Sequence, residues 1–165
     1  MALKTICEPD EDLVPASTAE IEAFEGKHSL KLPETLHQIL TETNGGYVRD
    51  EYLLFEGDGD EVIAGVEELN GVLPDEVDWA SSIVPLPRWV AFKNELNPSL
   101  PNVEALEKLN GDISRYFVIS NRSAVFYLLD YTDSKVCKRI CYLDLVGGDQ
   151  VITHLGDDLS CVIAI

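Results

Sequence analysis

The hydrophobic positions of this chain change their period near Gly46. Before it they recur at helical spacing. Ser17, with Glu20 three residues later, has the form of a capping box. Ile21, Phe24 and His28 follow three and four residues apart. Leu30 and Leu32 flank a link, and Pro33 suits the first turn of a second helix, where its missing N–H costs nothing. Leu36, Ile39 and Leu40 give that helix an apolar stripe. Asn44-Gly45-Gly46 should end it, because glycine tolerates the left-handed backbone that often closes a helix.

After that break the apolar runs shorten. Tyr52 to Phe55 and Glu61 to Val66 read as short strands around the turn-forming Glu56-Gly57-Asp58-Gly59-Asp60. Glu67 to Leu69 reads as the start of a helical turn that Gly71 interrupts. Asn70 to Pro101 is broken by prolines and glycines and shows no clear period. Val103 to Leu109 is expected as a short helix closed by Asn110-Gly111. The remaining third is rich in Val, Ile, Tyr and Phe, which favours strands. The expected strands are Arg115 to Ser120, Ala124 to Leu129, Arg139 to Leu145, Gln150 to His154 and Ser160 to Ile165.

Helices first and strands later imply an α+β fold, a mostly antiparallel sheet with the N-terminal helices packed on one face. A length of 165 residues favours one domain over residues 1–165, with residues 1–15 as an extended lead-in. A chain of this size buries roughly 70% of its unfolded surface, enough for a core without disulfide or metal staples.

Charge adds the strongest constraint on partners. Thirty acidic against twelve basic residues leave a net −18. Such a surface repels nucleic-acid phosphates and anionic membranes, so neither is an expected partner. It speeds encounter with a basic protein, although solubility alone also accounts for acidity. The N-terminal stretch lacks a long apolar run, no segment approaches the roughly 20 apolar residues of a membrane span, and four cysteines fit a reducing compartment. A cytoplasmic location is expected.

Several of these pieces together resemble the SMI1/KNR4, or SUKH, family. Ile21, Phe24 and Glu25 are similar to its apolar-x-x-Phe-Glu helix, and Leu32-Pro33 to the Leu-Pro before its second helix. Asn44-Gly45-Gly46 resembles the Asn-Gly-Gly that closes that helix. Ile83-Val84-Pro85-Leu86 is similar to the family's apolar-Pro segment, and Phe126 to Tyr131 to its central strand ending in Leu-Asp. Residues 87–112 depart from the pattern and read as an insertion. The resemblance implies an α+β domain that binds proteins and has no shared catalytic residues. Many bacterial members are immunity proteins against a toxin, often a nuclease; fungal members regulate cell-wall synthesis through interactions.

The candidate chemistry is sparse. Asp58-Gly59-Asp60-Glu61 clusters carboxylates, but a calcium loop starting at Asp58 would need oxygen ligands at Val62 and Leu69 and glycine at Ile63. Cys137, Cys141, His154 and Cys161 match no zinc-finger spacing. His28, His37 and His154 belong to no nucleophile motif, and no phosphate-binding glycine loop is present. No catalytic residue, metal or cofactor is therefore expected. The partner surface is expected at Glu56, Asp58, Asp60 and Glu61, extended by Asp75, Glu76 and Asp78. Trp79 and Trp89 are candidate interface anchors, or alternatively pin their loop to the core. The expected function is neutralisation of a basic toxin domain; a regulatory interaction module is the alternative.

Overall fold

The computed structural model describes residues 5–8, 11–56, 63–73 and 79–165. Helix α1 spans Thr18–His28 and starts at the expected capping box. The Ser17 hydroxyl accepts from the Glu20 amide at 3.3 Å, and the Glu20 carboxylate accepts from the Ser17 amide at 2.8 Å. Helix α2 spans Glu34–Glu42, follows Pro33, and buries Leu36, Ile39 and Leu40. The link between the helices is held by Glu25, a buried carboxylate. It accepts from the Leu32 amide at 2.8 Å and pairs with the Lys31 ammonium at 2.5 Å.

Two small strand pairs come next. β1 (Gly46–Tyr47) pairs antiparallel with β4 (Glu68–Leu69), and β2 (Phe55–Glu56) with β3 (Ile63–Ala64). Residues 67–69 are thus mainly strand, not the expected helical turn, because β4 is fixed by a partner some twenty residues earlier. Local pattern cannot reveal such a partner. Tyr52 likewise closes a 3-10 turn, Asp50–Tyr52, rather than opening a strand.

The main sheet is an antiparallel meander of β5 (Val84–Pro85), β6 (Tyr116–Arg122), β7 (Val125–Asp130), β8 (Arg139–Asp144) and β9 (Thr153–Gly156), in that order. The expected final strand is absent. Asp158 caps a 3-10 turn, Leu159–Cys161, by accepting from the Ser160 amide, and Ile163 makes only a single bridge to Leu53.

Helices cover both faces of the sheet. On one face Ile21, Leu36, Ile39 and Leu40 pack with Phe117, Ile119, Leu129 and Ile140. On the other, α3 (Leu86–Leu96) and α4 (Val103–Asn110) pack Leu86, Trp89, Val90 and Leu106 against Val118, Phe126, Leu128 and Leu143. The N-terminal helices do occupy one face; the second helical layer is the addition. Its helix α3 hides behind Pro85 and Pro87, which read as breakers. Both sit at the helix start, where proline is tolerated.

The end of α2 is seated on residues 69–72. Asn44, Gly45 and Gly46 have φ of 56°, 92° and 102°. The Asn44 amide group accepts from the Val72 N–H at 2.8 Å and donates to the Val72 carbonyl at 3.2 Å. A Cβ on Gly71 would lie 2.2 Å from the Asn44 carbonyl oxygen, and one on Gly45 2.5 Å from that of Leu69. Gly71→Ala should therefore lower the urea midpoint sharply. Asn44→Ala should cost about 2 kcal/mol through two lost hydrogen bonds. Gly26→Ala, inside α1 with open space around it, should instead stabilise by about 0.5–1 kcal/mol.

Burial pushes the thiols of Cys7 and Cys141 from 9.0 up to about 12; at Cys141 the charge of Asp130 adds to this. In the unfolded chain both ionise near the ordinary value, so above about pH 9 the folded state holds more protons. Their stabilisation is complete below that pH and is lost as pH rises towards about 12. Urea midpoints measured from about pH 8 to 11 should fall, and Cys7→Ala with Cys141→Ala should flatten the fall.

Candidate functional site

A cleft of about 400 Å³ is lined by residues of β1, β4, β6, β7 and β8. Its floor is built by strand alternation. Tyr127 on β7 faces Tyr142 on β8 across the ladder, with ring centroids 5.7 Å apart and planes at 70°. Val125 lies two residues before Tyr127 on the same face. Tyr47 of β1 stands at the rim, 58% exposed, and Gly65, Glu67 and Glu68 form the wall.

A β-bulge decides what β6 contributes. Val118 pairs with Leu128, yet Ser120 pairs with Tyr127, so Ile119 is the extra residue. Strict alternation from Phe117 would send Ser120 and Arg122 to the α3 side. The bulge turns both towards the tyrosines, a recognised use of such irregularities. Asn70 holds it in place: its backbone N–H donates to the Ile119 carbonyl at 2.7 Å, and its side chain to the Val118 and Ser82 carbonyls.

Arg122 then reaches Glu67, Nη1 to Oε1 at 2.7 Å. The pair is solvated, with side chains 74% and 46% exposed. Tyr127 is the buried tyrosine of the cleft, and burial raises its phenol to about 12, with Tyr142 and Glu67 adding to the rise. The wall is thus acidic and aromatic, and its cation is already matched by a carboxylate.

The sequence-derived candidates divide in two. Trp89 is 3% exposed and stacks among Phe92 and Phe126 in the second core. It is a core residue and not an exposed interface anchor, since the α3 stripe points it inward. Asp58, Asp60, Glu61, Asp75, Glu76 and Asp78 lie outside the described residues, and only the backbone of Glu56 and Trp79 is described. Glu56 ends β2, whose partner β3 leads into Gly65 of the cleft wall.

Sequence reading missed the cleft residues Tyr47, Glu67, Arg122, Tyr127 and Tyr142. The tyrosines sat in runs read only as strand, and no alternation reveals a bulge.

Cys141 and His154 are cross-strand partners on β8 and β9, yet among the described residues the other candidates form no common site. Cys141 is buried, His154 is exposed and lies 3.1 Å from Asp157, and among the described residues no group of three or more His, Cys, Asp or Glu could hold a metal. His28 is half-buried, its ring 4.7 Å from Phe24 and 5.1 Å from Phe117. Among the described residues no helix is long and apolar enough to cross a membrane.

Rim and floor should differ in cost. Arg122→Ser and Glu67→Gln should each leave stability within about 1 kcal/mol of wild type, the ceiling for an exposed pair. Tyr127→Ala should cost about 3–5 kcal/mol as a buried aromatic truncation. Urea denaturation of the three variants checks both.

Comparison with known proteins agrees with this architecture. No curated protein and no solved structure gave a match. The family model for SMI1 / KNR4 (SUKH-1) matches residues 15–163, from just before α1 to the bridge at Ile163. The chain therefore belongs to the SMI1/KNR4 (SUKH-1) family, whose members are immunity-protein or SMI1/KNR4-type protein-interaction domains.

Proposed function

We propose that this chain is an immunity protein that binds and neutralises a basic toxin domain. The observation that carries the reading is the join of family and charge: a SUKH-1 domain with a net −18 and an open cleft walled by Glu67 and Glu68. Electrostatic attraction speeds encounter with a basic partner and orients it. The tyrosines of the cleft supply rigid contact area of the kind that anchors protein interfaces. Neutralisation is steric: the bound domain covers the toxin's working surface, and no residue here performs chemistry.

The acidic segment containing Glu56, Asp58, Asp60 and Glu61, with Asp75, Glu76, Asp78 and Trp79, extends the proposed surface. If the toxin is a nuclease, these carboxylates occupy the basic groove that phosphates would otherwise fill. A regulatory interaction module is the second reading, supported by the same family membership.

The test is a tagged pull-down from native cytosol at low and moderate salt, with mass spectrometry of retained proteins. Equal amounts of one basic protein, lethal when expressed without this chain, are the expected result. Recovery of a cell-wall or signalling regulator instead would favour the second reading. With the partner in hand, Asp58→Asn, Asp60→Asn and Glu61→Gln together should slow association several-fold at low salt and flatten its salt dependence. An unchanged rate would remove that segment from the interface.

A further inference from the structure

The charges at the rim of the cleft are already matched. Arg122 pairs with Glu67 at 2.7 Å, and Glu68 is engaged as well. The floor differs. Ser120 is 5% exposed and sits opposite Tyr127 in the ladder, so the bulge at Ile119 places its hydroxyl on the tyrosine face. Among the described residues that hydroxyl has no hydrogen-bond partner, whereas buried polar groups are as a rule bonded. Val125, Tyr127 and Tyr142 surround it, with the two rings edge to face at 5.7 Å.

We propose that the cleft floor is a subsite for a phenol ring, filled by a tyrosine side chain that the protein partner inserts. The inference rests on the reading of this chain as a protein binder and names the side chain its cleft takes. The matched rim disfavours a charged group, which would have to break the Arg122–Glu67 pair to find a partner. The floor is apolar and aromatic around one free hydroxyl, and that pattern calls for a ligand group of the same make-up, an apolar ring with one polar atom. A saccharide carries a hydroxyl on nearly every ring carbon and would leave most of them unmatched on this floor. A phenol carries one, and its O–H both donates and accepts, as the Ser120 hydroxyl does. Its ring can continue the edge-to-face row that Tyr127 and Tyr142 begin, a preferred arrangement of aromatic pairs. Tyrosine is also among the residues that most often anchor protein interfaces, and such anchors tend to meet one another across them. The volume of about 400 Å³ admits one such side chain with its flanking backbone.

The test titrates the full chain with N-acetyl-tyrosine amide and follows its backbone amide and tyrosine ring resonances by NMR. N-acetyl-phenylalanine amide, which lacks only the hydroxyl, is the first comparison, and methyl glucoside the second. Tyrosine amide should shift resonances of Ser120, Val125, Tyr127 and Tyr142. Phenylalanine amide should shift the same set and bind about two- to ten-fold more weakly, the worth of one hydrogen bond. Methyl glucoside should leave them in place. Ser120→Ala loses no hydrogen bond within the protein and should keep the urea midpoint of wild type. It should lower tyrosine amide binding to the level of phenylalanine amide and leave the latter unchanged. Ser99→Ala, in the link between α3 and α4, should change neither. Equal binding of the two amides to wild type, or a preference for tyrosine amide that survives Ser120→Ala, would overturn the subsite. So would tighter binding of methyl glucoside at these residues, which would make the cleft a saccharide site. A toxin recovered in the pull-down together with a silent cleft would leave the immunity reading standing and remove this inference alone.

Discussion

The close backbone contact between the end of α2 and residues 69–72 is the constraint from which the rest of the architecture follows. Asn44 presents both its amide donor and its acceptor to Val72, as a neighbouring strand would. The approach is so near that a side chain at Gly45 or Gly71 would meet carbonyl oxygen. From the same four residues hydrogen bonds run outward to the sheet. Asn70 reaches Ile119, Val118 and Ser82, and Gly71 exchanges bonds with Ser81 and Ile83. One short segment therefore fixes the N-terminal helices, the edge of the sheet and the bulge in β6 relative to each other.

That bulge links stability to the make-up of the cleft. Buried carbonyl groups at a register shift require donors, and leaving them unmatched is costly. Asn70 supplies those donors, and these hydrogen bonds explain why a polar side chain is tolerated at a buried position. The consequence is felt three residues later, where Arg122 is directed to the tyrosine face. A device that satisfies backbone polarity thus also sets the charge pattern of the cleft.

The second helical layer has an analogous tie. Asn110, at the end of α4, donates to the Gln150 carbonyl at 3.1 Å and accepts from the Ile152 amide at 2.8 Å. Like Asn44, it closes a helix and satisfies both groups of a distant backbone segment. Both asparagines were legible as helix stops. Their partners, 28 and 42 residues away in sequence, were not, because a stop signal is local and a docking contact is not.

The sequence by itself determined α1 and α2, their cap and their stop, the strand-rich C-terminal third, the α+β class and the family, because helical period, capping chemistry and β-branched runs are local properties. It also determined the acidity of the chain, a net −18. Tertiary structure alone decided that α3 begins at prolines and that Trp89 is core. It also decided that residues 68–69 form a strand and that a bulge turns Arg122 towards Tyr127 and Tyr142. Each of these depends on a partner far along the chain, and a one-residue change of register reverses which face a side chain occupies.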